Sequence, residues 1–241
     1  MTAFPPQQSA SGARSAVAVA FCPAPPLLLP ALEGRADRAT AELRRACAEA
    51  VETMLAVRPQ VVVVVGDGVP AGARFGPGDG GSVRGFGVDV ELPFAGRVRP
   101  GGHAVPLAHA LGAWLLDRAG HGGARVGIGP ADVGELVDGL PGPVGVLAMG
   151  DGSARRHLRG PGYLDAAAQP FDAAVAAALR DGNAGALAEL DETEGARLLA
   201  AGVPTWRAVG AALTGRTIVA RLLHEAAPFG VGYLVADWVA S

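Results

Sequence analysis

The run Val61–Val65 is five consecutive valines, and no other feature limits the fold as tightly. A β-branched run this uniform is apolar on both sides of its pleat, so it belongs in the middle of a sheet covered on both faces. Pro59 stands just before it and Gly66-Asp67-Gly68 just after, which bounds the strand at each end. Such a sheet needs helices to cover it. Asp37 to Val57 supplies one: Leu43, Ala46, Cys47, Ala50, Val51, Met54 and Leu55 recur at three- and four-residue spacing, giving one buried stripe.

A first strand is expected over Val17 to Phe21, ending at Cys22-Pro23-Ala24-Pro25-Pro26 because proline has no N–H for a sheet ladder. Ligands of α/β sheets bind just outside the carboxyl ends of the strands. This elbow therefore sits where chemistry is expected, with the inert Ala24 at its centre. Gly85 to Leu92 alternates and reads as a strand near an edge. His103 to Arg118 reads as a helix, and Ala124 to Ile128 and Val144 to Met149 as strands. Residues 66–82 read as Gly- and Pro-rich loop. Helical stretches follow over Asp165 to Arg180, Ala184 to Leu190, Glu192 to Ala201 and Trp206 to Leu213. Thr217 to Leu223 and Val231 to Val239 form a closing hairpin around Pro228-Phe229-Gly230. This order predicts an α/β fold, a three-layer α/β/α sandwich with a mixed, largely parallel central sheet. Residues 1–14 read as a disordered leader, and 15–241 as a single α/β domain.

Composition removes several classes of function. The 241 residues are 50% hydrophobic and 18% charged, with a formal net charge of −3, so nothing favours a nucleic-acid or anionic-membrane partner. There is no lysine: all 20 basic residues are arginine, which excludes Schiff-base chemistry and a P-loop lysine. The Ala, Gly, Arg and Pro usage fits a GC-rich bacterial genome. The two cysteines, Cys22 and Cys47, make no disulfide framework, and a cytoplasmic, reduced setting is expected. Prolines break the apolar stretch after Arg14 too early for an export signal, and no run of about 20 apolar residues exists for a membrane span.

Two strands run into similar loops, Gly66-Asp67-Gly68 and Gly150-Asp151-Gly152-Ser153. Asp67 and Asp151 are metal or polar-ligand candidates if these strands are neighbours; alternatively each satisfies N–H groups in its own turn. Neither loop is a G-x-G-x-x-G dinucleotide fingerprint. On the expected helix His103 and His109 are separated by about 600° of turn and face opposite ways. His157 and His224 remain the histidines best placed to line a pocket. Arg155, Arg156 and Arg159 either bind a carboxylate or phosphate of a ligand or pair with Asp165 or Asp172. Ser153 has no evident base and no G-x-S-x-G elbow. Cys22 is a candidate nucleophile or soft ligand, or a small buried hydrophobe.

Cys22-Pro23-Ala24-Pro25-Pro26-Leu27-Leu28 resembles the first motif of class III extradiol ring-cleavage dioxygenases of the LigB type, where a strand ends in His-x-Pro. Gly150-Asp151-Gly152-Ser153-Ala154-Arg155, followed by Gly162-Tyr163 and Phe171-Asp172, resembles a second motif, often Gly-Asp-Leu-Ser-His-Arg in relatives. The terminal segment from Pro228 through Tyr233 to Ala236 is similar to the family's closing strands. The resemblance runs from about Val17 to Val239. It implies a LigB-type α/β/α fold and an Fe(II) held by two histidines and a carboxylate, with a further histidine as acid/base. On this chain the first ligand position falls on Ala24, the second in Gly66-Asp67-Gly68 and the acid/base position on Ala154. The last strands offer Glu225 and Asp237 for the carboxylate. The expectation is a relative that has lost the iron site, needs no cofactor, and keeps a pocket for a small molecule or protein partner. Cys22, Ala24, Asp67, Asp151, Ser153, Ala154, Arg155 and Tyr233 would line it, with Cys22 and His157 as catalytic candidates. The alternative is an active Fe(II)-dependent dioxygenase using substitute ligands such as Cys22, Asp67, Asp151 or His157. A homo-oligomer is compatible with either.

Overall fold

The valine run is β2 (Val61–Val65), and it lies inside a seven-stranded sheet. The computed structural model describes residues 15–241; the leader expected over 1–14 lies outside the described residues. β2 pairs in parallel with β6 (Arg125–Ile128) on one side and β7 (Val144–Met149) on the other. β7 pairs in parallel with β1 (Val17–Cys22). The remaining strands are antiparallel to their neighbours: β3 (Arg74–Phe75) beside β6, β9 (Tyr233–Ala240) beside β1, and β8 (Ile218–Ala226) beside β9 at the edge. The sheet is thus mixed and largely parallel, in the order β3-β6-β2-β7-β1-β9-β8.

Alternation along the central strands divides the core in two. Ala18, Ala20 and Cys22 of β1 and Val62 and Val64 of β2 face α1 (Arg38–Ala56) and α2 (Leu107–Arg118). Val17, Val19, Phe21, Val63 and Val65 point the other way. They pack with α3 (Val133–Gly139), α4 (Ala168–Asp181), α5 (Ala184–Ala188) and α7 (Val203–Leu213). Burial on both sides is what an all-valine strand requires. Asp37 caps α1 by accepting the Ala39 N–H at 2.7 Å, which sets its first turn. No helix among the described residues is long and apolar enough to cross a membrane.

Several local expectations are corrected. Gly85 to Leu92 is not one strand: Arg84–Phe86 is a 3₁₀ turn and only β5 (Glu91–Pro93) pairs, with β4 (Gly80–Ser82). Gly87 has φ 85°, a left-handed conformation that ends the turn and breaks any ladder. The helix expected from His103 starts at Leu107. Pro106 precedes it and disfavours a helical Val105, while His103 N–H donates to Asp79 Oδ1 at 2.7 Å and Ala104 bridges to Gly80, so His103 is not helical at all. Residues 66–82, expected as loop, hold β3 and β4. α3 has no counterpart in the sequence reading. The helix expected from Asp165 starts at Ala168, and α6 (Glu192–Arg197) stops short of Ala201. In the other direction, α7 starts at Val203, with Pro204 in its first turn, where a missing N–H does no harm.

Candidate functional site

At the carboxyl end of β1 the ladder to β7 continues one bond past the strand, Gly150 N–H donating to Cys22 O at 3.0 Å. Pro23 then has no donor. The next N–H, that of Ala24, is taken by a side chain: Asp151 Oδ1 accepts it at 2.7 Å. A carboxylate thus replaces the main chain as the last rung. Beyond it, Pro26–Leu28 forms a 3₁₀ turn that Arg44 of α1 clamps. Its guanidinium donates to Leu27 O at 2.7 Å and Leu28 O at 2.9 Å, and pairs with Glu33 at 2.8 Å.

Asp151 is half-buried. Burial pushes its carboxyl up to about 6, against the opposing pull of the Ala24 N–H. Tyr233, the buried first residue of β9, is beside it: burial raises the phenol, and the Asp151 charge raises it further. Asp151 and Tyr233 are thus two titratable groups at the strand end next to Ala24. Cys22 is not one of them. Its thiol lies in the core against the Cys47 thiol of α1, and that hydrogen bond, followed by burial, holds it well above the usual thiol range. A thiol in that state is not a nucleophile.

The loop after β7 is held by a buried ion pair. Asp172 of α4 is fully buried; Oδ1 accepts the Ser153 N–H at 2.8 Å and Oδ2 pairs with Arg156 at 2.6 Å. Burial raises its carboxyl despite those partners. A Cβ on Gly232 would overlap this carboxylate, and one on Gly152 would come within 2.8 Å of it. Of the two readings of the arginine cluster, Arg156 therefore takes the pairing one, and Asp165 pairs with Arg197. The Ser153 hydroxyl donates to Leu198 O at 2.7 Å and accepts the Arg155 N–H at 3.1 Å, so it is committed to the loop. Ala154 is half-buried, and its carbonyl accepts the Gly162 N–H at 3.0 Å. Arg155 has a buried Nε with no partner.

The histidines are dispersed. His157 is exposed, with Nδ1 accepting the Arg159 N–H at 3.1 Å. His224 is half-buried on β8 near Glu42 and Arg45, and burial lowers its pKa. His109 is buried on α2, bonded to Ile128 O at 2.9 Å, whereas His103 is in a loop against Asp79.

Strands β2 and β7 are neighbours, so Asp67 and Asp151 do stand at adjacent strand ends. They do not share a site. Gly150 packs backbone on backbone against Gly202, whose N–H donates to Asp151 O at 2.8 Å. The corner between α6 and α7 is thereby laid on the end of β7. Asp151 faces Ala24 on one side; on the other, Asp67 lines a cleft of about 520 Å³ with Glu192, Gly195, Ala196, Leu199, Ala200, Ala201, Val203 and Pro204. This cleft is the feature the sequence reading missed, because its walls are alanines and a leucine without motif character.

The donors present do not fit an iron centre of two histidines and a carboxylate. Ala24 and Ala154 carry only methyl groups. Asp237 pairs with Arg221 at 2.5 Å and is level with Ala20 in the sheet, four residues before Ala24, about 13 Å at the strand rise. Glu225 pairs with Arg180 at 3.3 Å. Among the described residues no three His, Cys, Asp or Glu side chains converge as a metal site. No protein-family model matches the chain, and no curated protein matches it.

Proposed function

We propose that the chain is a LigB-type three-layer α/β/α protein, a single domain over 15–241, that binds a small molecule at the strand end beside Asp151 without the family's iron. The fold reading is supported by strand order, the proline elbow and the helices on both faces of the sheet. The observation that carries the function is the Asp151 carboxylate, fastened by the Ala24 N–H at the mouth of β1 and β7 with the Tyr233 phenol beside it. A carboxyl that titrates near 6 is able to accept a proton from a ligand hydroxyl or donate one to it close to neutral pH. Tyr233 stays protonated and serves as a hydrogen-bond donor. The setting is a reducing cytoplasm, with Cys22 and Cys47 as thiols, and the partner is a small molecule rather than a nucleic acid.

The test uses the full chain, metal-free and after anaerobic loading with Fe(II) followed by desalting. We expect no stoichiometric iron and no O₂ uptake with catechol. In the metal-free protein, catechol is expected to shift the carbon resonance of the Asp151 carboxyl and its titration midpoint. One iron per chain with ring cleavage would overturn the reading, and so would an Asp151 resonance indifferent to catechol.

A further inference from the structure

We infer that the Asp67 cleft is a second binding site, for a monocationic amine with an apolar body. The cavity, about 520 Å³, is of the size that small-molecule sites have. Its floor and walls are apolar: Ala196, Leu199, Ala200, Ala201, Val203 and Pro204. Two carboxylates reach it, and they differ. Glu192 is neutralised by Arg207, whose Nε is 2.7 Å away. Asp67 is exposed and has no ion-pair partner among the described residues. The cleft therefore presents one uncompensated negative charge beside an apolar surface. The complement of that pattern is one positive charge on an apolar molecule.

Leu199 is 46% exposed at the edge of the cleft, so its apolar surface is open to a ligand body. Its left-handed backbone, φ 55°, closes α6: Leu199 N–H donates to Ala196 O and Ala200 N–H to Gly195 O. The Gly150–Gly202 contact stands between this cleft and the Asp151 strand end, so the inference does not rest on the function proposed above.

The experiment is titration of the full chain, followed by backbone amide NMR, with phenethylamine, 2-phenylethanol and phenylacetate. The three share one apolar body and differ in charge. We expect phenethylamine to shift amides at 66–68 and 199–203, and phenylacetate to bind at least tenfold more weakly. Asp67→Asn, at an exposed position where folding is not at stake, is expected to weaken the amine about fivefold, the effect of about 1 kcal/mol for a lightly screened ion pair. It should leave 2-phenylethanol unchanged. Ala196→Trp, on the exposed side of a short helix, is expected to block all three by filling the cleft. Equal binding of amine and acid, shifts confined to other regions, no amine binding at millimolar concentration, or an Asp67→Asn variant that binds the amine as before would each overturn the inference.

Discussion

Replacing Asp151 with asparagine tests the electrostatics of the strand end, because asparagine keeps an oxygen for the Ala24 N–H and removes the charge. The folded carboxyl is raised from 3.8 to about 6. A raised carboxyl means that the folded state holds its proton more tightly than the unfolded chain. Its stabilising contribution is complete below 3.8 and is lost as the pH rises through 6. At 1.36 kcal/mol per pH unit, the ionised side chain weakens the fold above that window by about 3 kcal/mol at most. Partial exposure screens the charge, and about 1.5 kcal/mol is the magnitude to expect. Asp151→Asn should therefore be more stable than the parent at pH 7.5 by about 1.5 kcal/mol, and equal to it near pH 4. Glu33, held down at about 2 by Thr40 and its other hydrogen-bond partners, begins to lose its contribution below 4.5, but it does so equally in both proteins and cancels in their difference. Urea unfolding followed by the fluorescence of the buried Trp206 and Trp238 measures both proteins across this range. A stability difference that does not change with pH, or an asparagine variant that is the weaker one at pH 7.5, would refute the assigned role of burial.

Two further substitutions probe the supports of this strand end. Gly232→Ala drives a methyl group into the buried Asp172 carboxylate, and a loss of about 3 kcal/mol or more is expected in the same urea assay. A loss under about 1 kcal/mol would mean that the pair with Arg156 yields easily. Arg44→Met keeps the apolar stem but removes the donors to Leu27 O and Leu28 O; amide hydrogen exchange at residues 24–29 should accelerate well before global unfolding, and unchanged protection there would dismiss the clamp.

The central strands are legible in the sequence because each carries its own boundaries. Val61–Val65 and Val144–Met149 are recovered residue for residue, as unbroken apolar runs stopped by Gly-Asp-Gly. The alternation of 85–92 misleads because two of its polar places are glycines, one of which turns left-handed. Pro106 marks the start of α2, since it disfavours a helical residue just before it; the contacts that hold His103 and Ala104 outside the helix, to Asp79 and Gly80, leave no sign in the helix pattern. α3 goes unread because it is short and its pattern includes Gly134 and Gly139. In the site, the matching loops do announce Asp67 and Asp151 at neighbouring strand ends. The bond from Ala24 to Asp151 spans 127 residues and leaves no local trace. Asp172 is also silent in its own helix; its trace is in Gly152 and Gly232, which are small because the carboxylate stands against them.

Residues 151 and 152 gather partners from across the chain. Ala24 N–H reaches the Asp151 side chain, Gly202 N–H its carbonyl, and Gly152 N–H donates to Gly232 O at 2.7 Å. None of these bonds is available until the first strand, the corner before α7 and the closing hairpin have all assembled around β7. Closing such long loops is unfavourable until the contacts they permit are made. This junction is therefore expected to form late, on the downhill side of the folding barrier, while the valine-rich centre of the sheet forms early. In folding kinetics, Gly152→Ala should then accelerate unfolding and leave the folding rate nearly unchanged. A variant that instead slows folding would place this junction in the nucleus and reverse that order of assembly.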